Sequence, residues 1–244
     1  MSPPPRAPHL PVTEIFGPTI QGEGPLVGLP THFIRLWGCD FRCSWCDSLY
    51  AVLPAHRREA IDKAAGEIAR EVLRLPEGPE WVTISGGNPA LYDLAELVQL
   101  LHEHDMLVAV ETQGTRWREW LADVDQLVVS PKPPSSGMHE QQEAAWPNFL
   151  EQASAYEQPT AVKIVVFDEA DYEWAVPVLA DARNTGTCSL HLSVGTDTAT
   201  RNPQLEVLDA YTWLAERMAG DPRMYDVSLS PQMHVLAWGH ERGR

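Results

Sequence analysis

Short apolar runs alternate with longer amphipathic stretches along most of the chain. Residues 31–37, 81–84, 106–110, 126–129, 162–167, 189–192 and 226–229 have the length and the β-branched or aromatic content of strands. Between them, apolar residues recur at helical spacing. Ile61, Ala64, Ala65, Ile68, Val72 and Leu75 predict a helix within 57–75, Leu91, Leu94, Leu97, Val98 and Leu101 a second, and Leu205, Leu208, Leu214 and Met218 a third. Residues 133–160 carry no clean period: Pro133 to Gly137 predict a loop, and Pro147 a break in whatever helix follows. Residues 1–11 are proline-rich and expected to be disordered or loosely attached, leaving 12–244 as one domain.

This alternation predicts an α/β fold with a parallel sheet wrapped by helices. Small or polar clusters follow the strands at their C-terminal ends: Cys39–Cys46, Ser85–Pro89, Glu111–Gly114, Ser130–Lys132 and Ser193–Gly195. In a (β/α) barrel that edge carries the site. The chain is short for eight full units, so the expected architecture is an incomplete, laterally open barrel of about six parallel strands.

Charge narrows the partners. The net charge is −16 and the pI about 4.9, with no basic run to neutralise phosphates, so direct nucleic-acid binding is not expected. No apolar run reaches membrane-spanning length, and Met1 to Arg6 lack the apolar core of a signal peptide. With four cysteines and no secretion signal, a reducing cytoplasm is the expected location.

Three of those cysteines, Cys39, Cys43 and Cys46, fall within eight residues. Structural zinc usually takes four ligands in two separated pairs. Three thiolates can instead hold a [4Fe–4S] cluster and leave one iron open, as catalysis needs. A non-catalytic zinc module is the rival reading. Arg35 interrupts an apolar strand and, if buried, needs an anion, either a ligand or an internal salt bridge.

The spacing Cys-x3-Cys-x2-Cys, with Trp45 before the third cysteine, resembles the signature of the radical S-adenosylmethionine (SAM) enzymes, and Gly86-Gly87-Asn88-Pro89 resembles their SAM-binding Gly-Gly-Glu-Pro turn. Further motifs are similar to those of the 7-carboxy-7-deazaguanine synthases, in order from residue 14 to about 235. They are Glu14-Ile15-Phe16, Gln21-Gly22-Glu23-Gly24, Phe33-Ile34-Arg35-Leu36, Cys46-Asp47-Ser48, Glu111-Thr112-Gln113-Gly114, Ser130-Pro131-Lys132 and Pro231-Gln232-Met233-His234. A glycyl-radical activase would share the cysteine trio but has no need for Gln21 to Gly24 or Arg35.

The resemblance implies a [4Fe–4S] cluster on Cys39, Cys43 and Cys46, with SAM on its open iron. SAM would be contacted by Trp45, Cys46, Asp47, Gly87, Asn88, Ser130 and Lys132, and by Ser193 and Val194 on the adenosine side. It implies the substrate 6-carboxy-5,6,7,8-tetrahydropterin, bound by Ile20, Gln21, Gly22, Glu23, Arg35 and Ser85, with Mg²⁺ on Ser48, where the family usually has threonine. The implied reaction is hydrogen abstraction by a 5′-deoxyadenosyl radical, then ring contraction with loss of ammonia. A homodimer and an external electron donor, such as flavodoxin or ferredoxin, complete these expectations. Cys188 is read as a core thiol.

Overall fold

The protein, seen in a computed structural model, is described over residues 9–186 and 188–243. The expectation for residues 1–8 lies outside that range. Nine strands form one sheet: β1 (Leu10–Ile20), β2 (Pro30–Leu36), β3 (Ile61–Lys63), β4 (Trp81–Gly86), β5 (Leu107–Thr112), β6 (Gln126–Val129), β7 (Thr160–Val166), β8 (Cys188–Val194) and β9 (Val227–Ser230). Their order is β3-β1-β2-β4-β5-β6-β7-β8-β9. From β2 onward each neighbouring pair is parallel, which makes seven parallel strands in chain order. On the other edge β1 runs antiparallel to β2 and to the short β3. These seven are the seven runs that the sequence pattern marks, one more than the barrel of about six strands expected for a chain of this length. The sheet also begins earlier, because Leu10 and Pro11, placed by composition in the loose N-terminal segment, are buried in β1.

Six helices cross over between strands or follow them: α1 (Ala65–Val72), α2 (Ala95–His102), α3 (His139–Ala155), α4 (Glu169–Asn184), α5 (Pro203–Ala219) and α6 (Met233–Trp238). The core between them and the sheet includes the fully buried Ile34, Leu36, Ile84, Leu97, Leu101, Leu127, Ile164 and Leu179. Three helical expectations need correction. The stretch 57–75 is helical only from Ala65, because residues 54–59 form a 3-10 turn and Ile61, 62% exposed, starts β3 at the sheet edge. Pro147 lies inside α3, where buried Trp146, Phe149, Leu150 and Ala153 hold one face to the core while the proline faces out. In α5 the buried face carries Val207, Leu214 and Met218, whereas Leu205 and Leu208 are exposed. Among the described residues, no helix is long and apolar enough to cross a membrane.

Candidate active site

The parallel strands place alternate side chains on one face of the sheet, and at their C-terminal ends these surround a cavity of about 220 Å³. Phe33 and Arg35 come from β2, Ser85 from β4, Glu111 from β5, and Lys163 and Val165 from β7. The loop after β2 adds Cys39, Cys43, Trp45, Cys46, Asp47 and Ser48, and the end of β1 adds Ile20, Gln21, Gly22 and Glu23. Ser130, Lys132 and Gly87 complete the predicted residues on the wall.

The cysteine loop is braced from two sides. Ser44 donates to the Ser135 carbonyl at 2.6 Å, and the Trp45 indole N–H to Ser135 Oγ at 2.9 Å. Ser135 in turn hangs on the buried carboxylate of Asp171 in α4. The Trp45 ring packs on Phe167, with centroids 5.1 Å apart, and Lys132 Nζ lies 5.6 Å from its centre. On the other side Asp40 accepts from Thr115 Oγ1 at 2.7 Å, from Asn88 Nδ2 at 2.9 Å and from Gln113 Nε2. Burial pushes all three thiols up, Cys46 to about 12 with Asp47 adding to the effect, while the Lys132 charge pulls the other way. Binding metal would therefore expel protons from them.

Gly86 and Gly87 have a packing reason of their own. A Cβ on Gly87 would lie 1.9 Å from the Gly38 carbonyl oxygen, and one on Gly86, whose φ is +130°, would lie 2.0 Å from that of Leu36. The turn after β4 is thus pressed against the start of the cysteine loop, with the Asn88 N–H bonded to the Gly38 carbonyl at 2.7 Å.

Three predicted residues sit off the cavity wall. Asn88 is fully buried, and its Oδ1 already accepts from Thr112 Oγ1 at 2.8 Å and Ala90 N at 3.2 Å. The side-chain oxygen that Asn88 would offer to SAM is thus engaged by the chain itself. Ser193 is buried with its hydroxyl on Glu23 Oε1 at 2.8 Å, and Val194 packs in the core. At that strand end Gly195 and Thr196 form the wall instead.

Of the two anions that its sequence context left open, Arg35 has the internal one, Glu14. Its Nε lies 2.8 Å from Glu14 Oε1, a charge contact without hydrogen-bond alignment, while Nη1 donates to Ser48 Oγ at 2.7 Å. The Phe16 and Tyr50 rings flank the guanidinium at 5.8 and 5.7 Å, yet Arg35 still forms part of the wall. Ser48 donates onward to Asp47 Oδ1 at 2.8 Å.

The same cavity holds a charged group in which the predicted Gln21 and Glu23 meet two residues that the sequence reading did not assign to the site, Lys163 and Glu111. Lys163, 5% exposed, holds Glu23 Oε2 at 2.6 Å and lies 3.6 Å from Glu111 Oε2. Gln21 Nε2 donates to Glu111 Oε1 at 2.7 Å. Burial would raise the Glu23 carboxyl, but the Lys163 charge, His234 and two hydrogen bonds outweigh it and hold it at about 2. Burial would lower Lys163, yet Glu111 and Glu23 drive it well above the ordinary lysine value. A lysine inside an otherwise apolar strand was the available signal, of the same kind that singles out Arg35. Gln232, His234 and His240 also line the cavity, from the segment after β9. The Met233 N–H bonds the Gly22 carbonyl at 3.0 Å, and the His234 ring occupies the space where a Gly22 side chain would begin.

Residues 36–130, which contain the cysteine loop and the turn after β4, match the Radical SAM superfamily. The 7-carboxy-7-deazaguanine synthase of Bacillus cereus is 39% identical over 96% of this chain and 98% of its own length. The chain belongs to the 7-carboxy-7-deazaguanine synthases. The Bacillus subtilis 7-carboxy-7-deazaguanine synthase is 38% identical, also over 96% of this chain and 98% of its own. In fold the chain is similar to the crystal structure of QueE from Escherichia coli, with a TM-score of 0.69 and 24% identity over 91% of this chain and 94% of that one. It is therefore a radical SAM lyase on a partial barrel, and membership of the superfamily brings a [4Fe–4S] cluster and SAM. The donor set fits the cluster: three soft thiols face one cavity, on a loop fixed by hydrogen bonds from three other segments.

Proposed function

We propose that the cavity binds 6-carboxy-5,6,7,8-tetrahydropterin between Arg35 and the Glu23–Lys163–Glu111 group and converts it to 7-carboxy-7-deazaguanine with loss of ammonia. The observation that carries this reading is the polarity of the cavity. A guanidinium suited to a carboxylate stands on β2, and two carboxylates with a glutamine, suited to ring N–H groups, line the same cavity. Family membership supports the same assignment.

Cys39, Cys43 and Cys46 would hold the cluster, which supplies the electron that cleaves SAM. Lys132 and Trp45 would face SAM from the β6 side, and the Gly87 backbone from the β4 side. Ser48 and Asp47 offer hard oxygens of the kind Mg²⁺ takes together with waters. The Ser48 hydroxyl accepts from Arg35 in this structure and keeps a second lone pair for such a ligand. Arg35, held by the Glu14 charge and by the hydrogen bond from Nη1 to Ser48, would hold the substrate carboxylate and so orient the ring. Residues 232–240 would keep water out of the same space. An external one-electron donor of flavodoxin or ferredoxin type, a homodimer and a cytoplasmic location belong to this proposal.

The test is an anaerobic assay of the reconstituted protein with reductant, SAM, Mg²⁺ and the carboxytetrahydropterin. Formation of 7-carboxy-7-deazaguanine is expected, and failure with a loaded cluster overturns the reading. Ser48→Ala should keep iron and SAM binding but lose most of the response to Mg²⁺, and Ser48→Thr should restore it. If serine and alanine respond alike, Ser48 binds no magnesium.

A further inference from the structure

We propose that Lys163 is a positioning residue that holds Glu23 and Glu111 side by side and aimed into the cavity, as paired acceptors for the N–H edge of a neutral ring. The inference rests on the pterin reading above and says what enforces it. Lys163 is central in β7, a strand buried along its whole length, and its ammonium reaches the cavity only where the two carboxylates meet. The carboxylates arrive from different places. Glu23 follows β1 and Glu111 is near the end of β5, 88 positions later. Nothing local in sequence brings them together, and two carboxylates largely withdrawn from solvent repel at close range. A cation between them removes the conflict, leaving the group with one net negative charge.

The remaining contacts fix the direction of each acceptor. Ser193 Oγ holds one Glu23 oxygen and Lys163 the other, while Gln21 holds Glu111 Oε1. Each carboxylate oxygen keeps a lone pair beyond the one so used. A 2-aminopyrimidinone edge, with its ring N–H and amino group, presents donors in the pattern that such acceptors complete. A protonated carboxyl would set a donor against a donor. Lys163 thus acts through the carboxylates it holds.

The titratable groups facing Lys163 are Glu23, Glu111, Asp47 and, from β8, His191, with His234 of α6 next to Glu23. Burial and the Lys163 charge both push His191 down, so the pH profiles are also compared in a His191→Gln background, where a lysine-dependent change comes from the carboxylates. With Lys163 in place Glu23 stays ionised throughout the neutral range. Without it, burial is the dominant influence, and one carboxyl takes up a proton as the pH falls.

The experiment is anaerobic calorimetry of the cluster-loaded enzyme with SAM and the carboxytetrahydropterin, without reductant so that nothing turns over, across about pH 6 to about pH 8. Wild type should bind with a nearly flat Kd. Lys163→Met should bind about tenfold more weakly at the acid end than at the alkaline end, while SAM binding is unchanged and Lys163→Arg restores the flat profile. Should Lys163→Met fail to fold, Glu111→Gln is compared with Lys163→Met/Glu111→Gln, which leaves a single buried carboxylate. The first should be flat and the second pH-dependent. A flat profile in the lysine-free enzyme overturns the proposal and makes Lys163 a structural ion-pair partner. Absence of pterin binding by the wild type would instead overturn the substrate assignment.

Discussion

Asn88 stands where the radical SAM turn usually carries glutamate, and its neighbours account for the amide. Its Nδ2 donates to Asp40 Oδ1 and its Oδ1 accepts from Thr112, so it joins the cysteine loop to the end of β5. Asn88→Asp changes almost no volume but sets a second carboxylate against Asp40. It should cost about 2–4 kcal/mol, seen as a lower Tm, and speed the loss of iron to a chelator. Unchanged melting and iron retention would show that the Asn88–Asp40 contact holds nothing in place. Cys39→Ala, Cys43→Ala or Cys46→Ala should abolish iron binding, whereas Cys188→Ala, at the start of β8, should leave it intact. The residue types of most of the wall were legible from motifs. What Asn88, Ser193 and Lys163 do was not. Ser193 meets Glu23 across 170 positions, a contact set by how β8 is placed beside the end of β1 and not by any local spacing.

The strands were legible because the parallel ones are buried on both faces and read as continuous apolar runs. The helices were less so, because their edges and faces depend on what they pack against. Leu205 and Leu208 fit a helical period, but the sheet takes the face of Val207 and Leu214. Pro147 removes the N–H that would meet the Glu143 carbonyl, yet α3 continues because four buried side chains secure its inner face. Since Pro147 is exposed, Pro147→Ala should stabilise the protein by about 1–2 kcal/mol, the restored hydrogen bond and propensity being partly offset by a freer unfolded chain. Thermal melting would register a rise of a few degrees without change in iron content. A fall would mean that the proline shapes the helix for its packing.

Across the whole molecule, the site draws on both flanks of the sheet. The segment after β9 returns to Gly22 and to Glu14, where Arg242 Nε meets Oε2 at 2.9 Å and stacks 4.0 Å from the Tyr50 ring. Deleting residues 232–244 should therefore weaken pterin binding by about tenfold or more and leave iron uptake in place, because the cysteine loop is braced by residues 88, 113, 115 and 135. Equal pterin affinity in the shortened chain would remove residues 232–240 from the binding site.

The sheet order has a further consequence, for biosynthesis. From β4 to β9 every strand pairs with the parallel strand made just before it, so the sheet can grow at a single edge as the chain leaves the ribosome. The three thiols and their braces have all emerged once residue 171 is out, whereas Gly195, Thr196 and residues 232–240 come later. There is thus an interval in which a cluster could be held but not yet covered. An oxygen-sensitive cofactor inserted at that stage would face solvent through the missing wall. The order of synthesis favours insertion after β9 and the segment beyond it have closed the cavity.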